Sequence, residues 1–164
     1  MFNLFRKFYK KQNIGKETIK EFLDYVNSDH SGIFLNNIST TTWSIECEIR
    51  TNLEGLYNKH LRKKIENKVG KVCLVDIWYQ KYNANSGSFH DWHIHPKSDY
   101  SIAFYLQMKD DLSLFTEYKI SDKIEKPKVK VGDLIIFDSN IVHRSPPNNT
   151  TEDKIIISAN LMKI

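Results

Sequence analysis

The 164-residue sequence has few cysteines and no long apolar segment. Its two cysteines, Cys47 and Cys73, lie far apart and show no disulfide-framework spacing. We therefore expect a reduced, cytoplasmic protein, because disulfides persist mainly in oxidising compartments. No segment approaches the ~20 consecutive apolar residues that span a bilayer, and the N-terminus lacks the apolar core of a signal peptide. These absences predict a protein without a membrane partner.

The sequence also lacks a strong charge excess, because 24 basic residues face 20 acidic ones, for a net charge of +4. Arg6, Lys7, Lys10 and Lys11 cluster near the N-terminus among phenylalanines. Such a segment can bind nucleic acid or a membrane surface, but we expect a packed or solvated arm and no nucleic-acid partner. The length and the 40% hydrophobic content fit a single domain over residues 1–164.

Residues 1–70 are predicted to form a mostly helical support. Apolar residues recur at helical spacing in KETIKEFLDYVN and in LEGLYNKHLRKKIENKVG. They are Ile19, Phe22, Leu23 and Val26 in the first segment and Leu53, Leu56, Leu61 and Ile65 in the second. Gly70 ends the second segment as a helix C-cap would.

The sequence pattern of residues 71–164 predicts a β-barrel core. Short runs rich in β-branched and aromatic residues are separated by turn segments such as NANSGS and PPNNTTED. The runs are KVCLVDIWYQKY, FHDWHIH, YSIAFYLQM, LSLFTEYKI, KPKVKV, DLIIFDS and KIIISANLM. Roughly seven or eight strands without intervening helices predict an antiparallel sandwich or barrel.

Three of the six histidines lie in the segment FHDWHIHP, at positions 90, 93 and 95. If the segment is a strand, Asp91, His93 and His95 share one face and His90 lies on the other. Two imidazoles two residues apart on a strand can reach one metal ion, although a polar strand end with incidental histidines gives the same pattern. A third ligand is expected from His143, which follows a Gly-Asp turn and an apolar strand.

These segments resemble the small 2-oxoglutarate/Fe(II)-dependent oxygenases of bacteria and phages. The resemblance covers about residues 71–162 and lies in WHIHP, SIAFYLQ, GDLIIFDSNIVHRSPPN and EDKIIISANL. It implies a mainly β, double-stranded β-helix (jelly-roll) fold, an Fe(II) ion and 2-oxoglutarate as cosubstrate. The catalytic metal ligands it implies are His93, His95 and His143. The looser cupin pattern, which shares this fold, names the same ligands.

One ligand position departs from the family pattern, because most of these oxygenases hold a carboxylate where this sequence has His95. An all-histidine set is neutral, so Asp99 or Asp91 is a candidate for the missing anion. Pro96 breaks the strand before Asp99, so alternation does not place that residue. A catalytically inactive relative and a zinc-binding structural site remain alternatives.

The last strand carries the candidate cosubstrate residues. The family places an arginine about ten positions after the distal histidine, where it pairs with the far carboxylate of 2-oxoglutarate, and this sequence has Lys154 there instead. Alternation puts Lys154, Ile156, Ser158 and Asn160 on the cavity face and the intervening residues against the helices. Arg144, Ser158 and Tyr105 are further candidates for contacts with 2-oxoglutarate, although Lys154 also fits an ordinary solvated lysine.

The sequence therefore predicts a non-haem Fe(II), 2-oxoglutarate-dependent dioxygenase that hydroxylates a small molecule or a peptide. Two alternatives stay open: a cupin-type metal dioxygenase or isomerase without 2-oxoglutarate, and a non-enzymatic metal- or ligand-binding barrel. The substrate is not predicted, and a homodimer is left open.

Overall fold

The structure, a computed structural model, describes residues 8–43 and 48–164, which form three α-helices and eleven strands. The helices are α1 (Lys16–Ser28), α2 (Glu48–His60) and α3 (Arg62–Val69). The strands are β1 (Tyr9–Asn13), β2 (Ile33–Leu35), β3 (Ile38–Thr41), β4 (Val72–Tyr82), β5 (His90–His93), β6 (Tyr100–Gln107), β7 (Glu117–Ile120), β8 (Lys123–Glu125), β9 (Asp133–Asp138), β10 (His143–Ser145) and β11 (Lys154–Lys163). Cys47 and part of the basic N-terminal cluster, Arg6 and Lys7, lie outside the described residues.

The strands form two antiparallel sheets packed against each other. The larger sheet has the order β1-β9-β6-β11-β4-β3-β2 and the smaller one β5-β10-β7-β8. Apolar side chains of both sheets share one buried cluster, in which Tyr105, Phe137 and Ile156 of the larger sheet meet Tyr118 of the smaller. The predicted antiparallel sandwich is therefore confirmed.

The helices cover the outer face of the larger sheet, as their apolar periodicity predicts. Phe22 and Val26 of α1 and Leu53 of α2 are buried in one cluster with β11 residues such as Ile157. Gly70 has a φ of 87°, and its N–H donates to the Glu66 carbonyl, which confirms the predicted C-cap. Among the described residues, no helix is both long and apolar enough to cross a membrane.

β11 lies in the middle of the larger sheet, between β6 and β4. Its residues Ile155, Ile157, Ala159 and Leu161 pack in the cluster that contains the helices, as predicted. The alternate residues Ile156, Ser158 and Asn160 line a cavity between the sheets. This alternation is what turns polar side chains of a central strand toward the histidines.

Gly132 fixes the turn that leads into β9. Its φ is 89°, a conformation that favours glycine, and an added Cβ would lie 2.9 Å from the Ile14 carbonyl oxygen. Its N–H donates to the Tyr105 carbonyl at 2.8 Å, and its own carbonyl accepts from the Ile14 N–H at 2.7 Å. The turn thus ties the end of β1 to β6 and β9.

The N-terminal third also supplies three strands that its prediction as a mostly helical support did not include, because β1, β2 and β3 join the larger sheet. β1 and β3 are short and polar, and pairing with β9 and β4 decides their structure more than propensity does. The short apolar strand β2 pairs with β3. The segment KPKVKV, predicted as a strand, forms none, since Pro127 cannot donate to a ladder. The predicted second helix is divided at Leu61 into α2 and α3.

Candidate metal centre

The smaller sheet brings His93 and His143 together. β5 and β10 pair antiparallel with these two residues directly opposite each other, and their ring centroids lie 4.2 Å apart. His95 follows two residues after the end of β5, and its N–H donates to the Ser139 carbonyl at 2.9 Å. Its ring lies 4.9 Å from that of His93 and 5.2 Å from that of His143. The candidate ligand atoms of the three histidines all lie within 4.8 Å of one another.

Main-chain carbonyls fix the tautomer of two of these rings. His93 Nδ1 lies 2.7 Å from the Asp91 carbonyl oxygen, and His143 Nδ1 lies 2.8 Å from the Ile141 carbonyl oxygen. Because a carbonyl oxygen only accepts, each Nδ1 carries the hydrogen and each Nε2 keeps its lone pair. Metal-binding histidines are commonly oriented in this way.

Burial keeps the imidazoles neutral. It holds the pKa of His143 well below the ordinary value and lowers the pKa of His93. Burial, and then the neighbouring His93, lower the pKa of His95 to about 4. Metal ions bind the neutral imidazole, so at neutral pH little proton competition opposes a metal here.

His90 lies in the same cavity as the other histidines, so the prediction that it faces away is wrong. Its ring stacks on that of His93 with the centroids 3.8 Å apart and an angle of 22° between the planes. The cause is a β-bulge: His143 pairs with His93 and Ser145 with His90, so three steps along β5 match two along β10. The extra residue reverses the alternation. His90 nevertheless stands outside the group of three candidate ligands.

The candidate acidic ligands lie elsewhere. The Asp99 carboxylate accepts a hydrogen bond from the Lys163 main-chain N–H at 2.7 Å, and Asp99 does not line the cavity. Asp91 is exposed, and its side chain accepts from the Trp92 N–H. Neither joins the histidine group among the described residues.

Lys154 is completely buried beside the cavity. Its Nζ donates to the Leu114 carbonyl at 2.6 Å and to Ser145 Oγ at 2.8 Å. An ammonium group has three N–H bonds, and the third has no acceptor among residues 8–43 and 48–164. Burial lowers its pKa to about 7, although the charge of Glu117 opposes the shift. Ser145 lines the cavity, so the ammonium group lies one hydrogen bond behind the cavity wall.

The other candidate cosubstrate residues are engaged by protein partners. Arg144 lines the cavity, but its Nε donates to the buried Glu117 at 2.6 Å and its guanidinium lies 4.7 Å from the Trp92 ring centroid. The Tyr105 hydroxyl lies 2.7 Å from Thr116 Oγ1. Ser158 Oγ donates to the Gln80 amide oxygen at 3.2 Å and lines the cavity.

Gln80 is a residue of the site that the sequence analysis missed, and it lines the cavity beside Trp78. The Gln80 amide lies 3.2 Å from His90 Nδ1, and the buried Trp78 indole N–H has no hydrogen-bond partner among the described residues. A glutamine inside the apolar strand segment IWYQKY was the available signal, because buried polar groups need partners.

Two spaces meet at His95 and Asn160. The histidine cavity is narrow, about 30 Å³, which is room for one or two water molecules. A wider groove of about 240 Å³ adjoins it and shares both residues. Its remaining lining consists of Trp43, Val75, Ile94, Pro96, Lys97 and Ser98.

Comparison by sequence finds no matching protein family and no matching curated protein. The structure resembles the viral collagen prolyl hydroxylase of Paramecium Bursaria Chlorella virus-1, solved as a 2OG complex, with a TM-score of 0.65, 16% identity and coverage of 99% of this chain and 100% of that one. It also resembles a Trichoplax adhaerens prolyl hydroxylase in complex with a hypoxia inducible factor peptide (TM-score 0.64, 16% identity, 98% and 86% coverage). A third similar structure is the non-heme alpha ketoglutarate dependent epimerase SnoN from nogalamycin biosynthesis, with a TM-score of 0.72 and 11% identity. That match covers 96% of this chain and 78% of the other. At these identities the likeness shows a common fold, and the predicted double-stranded β-helix is confirmed.

Proposed function

We propose that the protein is a non-haem Fe(II) oxygenase that uses 2-oxoglutarate as cosubstrate and hydroxylates a small molecule or a peptide. The observation that carries this proposal is the cluster of three neutral imidazoles, His93, His95 and His143, with a buried lysine behind the same cavity. Imidazoles that leave coordination positions open suit Fe(II). The fold shared with 2-oxoglutarate-dependent enzymes supports the same conclusion.

The donor set fits an iron ion, because His93 and His143 keep free Nε2 lone pairs and His95 lies within reach. Bound iron would supply the activation of O₂, coupled to oxidation of 2-oxoglutarate. The protein's part is to hold the reactants and to exclude water, which the narrow, buried cavity favours. Because the three ligands are neutral, the charge of the ion would be balanced by its anionic cosubstrate.

Lys154 is the proposed anchor of the far carboxylate of 2-oxoglutarate. A carboxylate that reached Nζ would displace the Ser145 hydroxyl and use the remaining N–H. A charge-assisted hydrogen bond in a dry site is stronger than a neutral one. The cavity has to widen for this, since a dicarboxylate exceeds one or two waters.

The groove beside His95 is the proposed substrate site. It adjoins the candidate metal ligands, and Trp43, Ile94 and Pro96 give it an apolar wall. Such a groove suits an apolar side chain or ring held next to the metal. The peptide complex of the Trichoplax adhaerens relative makes a peptide one reasonable substrate class. The cytoplasm is the compartment we propose, from the sparse cysteines.

The all-histidine donor set is the observation that favours a second candidate, a cupin-type metal dioxygenase or isomerase without 2-oxoglutarate. The two candidates differ in whether a cation binds a cosubstrate carboxylate near the metal. Lys154, fully buried and turned toward the cavity wall, favours the 2-oxoglutarate enzyme.

The distinguishing experiment supplies purified protein with Fe(II), 2-oxoglutarate and air and measures succinate. We expect iron-dependent succinate above the level of a His143→Ala control, because this variant removes one of the proposed metal ligands. Succinate formation equal in the variant and the wild type contradicts the proposal. Metal binding without any affinity for 2-oxoglutarate would instead favour the cupin-type candidate.

A further inference from the structure

Within the described part of the chain, no main-chain carbonyl contacts the His95 ring in the way that carbonyls contact His93 and His143. The His95 Nδ1 faces the side-chain amide of Asn160, and the nearest amide atom, Nδ2, lies 3.4 Å away. An amide NH₂ only donates, so in this orientation Nδ1 accepts and the ring hydrogen sits on Nε2. An Nε2–H nitrogen has no lone pair for a metal. In this orientation of the amide, His95 therefore cannot bind a metal through Nε2.

Rotating the Asn160 amide by 180° exchanges its oxygen and nitrogen in place. Oδ1 would then face His95 and accept from Nδ1–H, and Nε2 would keep its lone pair, as in His93 and His143. The opposite end of the amide contacts the Ser101 hydroxyl at 2.9 Å. A hydroxyl can either donate or accept, so Ser101 is compatible with both orientations.

Three buried or half-buried hydroxyls decide between the two orientations. They form a chain from Asn160 to Ser101, Ser139 and Ser98 that ends at the main-chain carbonyl of His95. The last three contacts measure 3.1, 2.9 and 3.0 Å. Each hydroxyl has one hydrogen to donate.

The hydrogen count favours the rotated amide. If the hydroxyls donate toward Asn160, the Ser98 hydrogen goes to Ser139 and the His95 carbonyl receives nothing from the chain. If they donate away from it, Nδ2 donates to Ser101, Ser101 donates to Ser139, and Ser98 donates to the His95 carbonyl. Ser139 then donates to Ser98, which reverses the Ser98-to-Ser139 direction of the present hydroxyl geometry. Every contact is then a hydrogen bond, and the ring closes through His95 Nδ1–H and Asn160 Oδ1. This direction supplies the His95 carbonyl with a donor and makes a hydrogen bond of every contact in the chain, so it is the one we assign.

We propose that Asn160 is the positioning residue of His95 and selects the tautomer in which His95 binds metal. This inference rests on the metal centre proposed above and adds a residue that touches no metal itself. The closed chain starts at the His95 ring and ends at its main chain, so it orients the ring and the adjoining loop together. It replaces, for this one ligand, the carbonyl contacts of His93 and His143.

The first test measures anaerobic Fe(II) affinity by calorimetry for the wild type, Asn160→Leu and Asn160→Asp. Asn160→Leu removes the acceptor and should weaken binding by about 10–100-fold, as is typical for groups that orient a ligand. Asn160→Asp keeps an acceptor toward Nδ1–H and should bind within about threefold of the wild type or more tightly. The matched control is Asn67→Leu, an exposed position on α3, which should change nothing. Unchanged affinity in Asn160→Leu, or equal losses in both Asn160 variants, overturns the proposal.

The second test reads the tautomer directly by ¹⁵N NMR of histidine side chains in metal-free protein. The wild type should carry the His95 hydrogen on Nδ1, and Asn160→Leu should shift it toward Nε2, with His93 and His143 unchanged. An Nε2–H His95 in the wild type, or an unaltered tautomer in Asn160→Leu, overturns the inference. This measurement needs no bound metal. If the wild type binds no Fe(II), the proposed metal centre is refuted, but the NMR result still shows whether Asn160 sets the tautomer of His95.

Discussion

Burying the Lys154 ammonium group lowers the free energy of unfolding, and Lys154→Met should therefore stabilise the metal-free protein. Burial lowers the pKa of Lys154 from 10.5 to about 7, and each unit corresponds to about 1.4 kcal/mol. The unfolded chain binds this proton up to about pH 10, while the folded protein releases it near pH 7. Because stability rises with pH wherever the unfolded state binds more protons, the wild type should gain about 2 kcal/mol between pH 7 and 9.

Methionine removes this titration and fills nearly the same volume. Its gain at pH 7 is reduced by the hydrogen bonds that Leu114 and Ser145 lose, each worth about 1 kcal/mol. We expect Lys154→Met to be more stable than the wild type by about 2 kcal/mol at pH 7, with a smaller gain at pH 9. The variant should also lose measurable 2-oxoglutarate affinity in the metal-loaded protein.

Urea unfolding of EDTA-treated protein at pH 7, 8 and 9 measures both effects. Lys163→Met is the matched control, because this exposed lysine lies on the same strand. It should keep the pH slope of the wild type. A Lys154→Met protein that is no more stable at pH 7, or that retains the full slope, refutes the argument that Lys154 is a desolvated cation.

Three further outcomes are expected. His93→Ala and His143→Ala should each lower Fe(II) affinity by more than the ~10–100-fold typical of indirect contacts, and full metal occupancy by elemental analysis in either would contradict their role. His90→Ala should leave Fe(II) affinity within a few fold, since His90 stacks on His93 without joining the ligand group; loss of metal in calorimetry would make it a ligand. Gly132→Ala should cost about 1–3 kcal/mol in urea unfolding, because of its positive φ and the close Ile14 carbonyl; unchanged stability would contradict this.

Much of the fold could be predicted from the periodicity of apolar residues in the sequence. The apolar faces of α1 and α2, the C-cap at Gly70 and the alternation along β11 are local patterns, and each has the structure that its pattern predicts. β1 and β3 were missed because their sequences, YKKQN and ISTT, are short and polar. Such strands form because β9 and β4 offer free edges, which is a tertiary property.

The candidate site was readable only where strict alternation holds. Ser158 and Asn160 line the cavity, as a regular strand requires. His93 and His95 both reach the cavity, although His95 lies beyond the end of β5. His90 was misplaced because the β-bulge depends on the pairing of β5 with β10. The hydroxyl chain behind His95 joins residues of distant segments, so no local pattern could reveal it.

Anaerobic calorimetry with Fe(II) followed by 2-oxoglutarate tests the proposed centre most directly. The expected result is one Fe(II) per chain in the wild type, none in His143→Ala, and 2-oxoglutarate binding only after iron has been added. We expect this order because three neutral histidines leave the positive charge of the iron ion to attract the anionic 2-oxoglutarate. Binding of 2-oxoglutarate without iron, or the absence of Fe(II) binding by the wild type, would contradict the proposal.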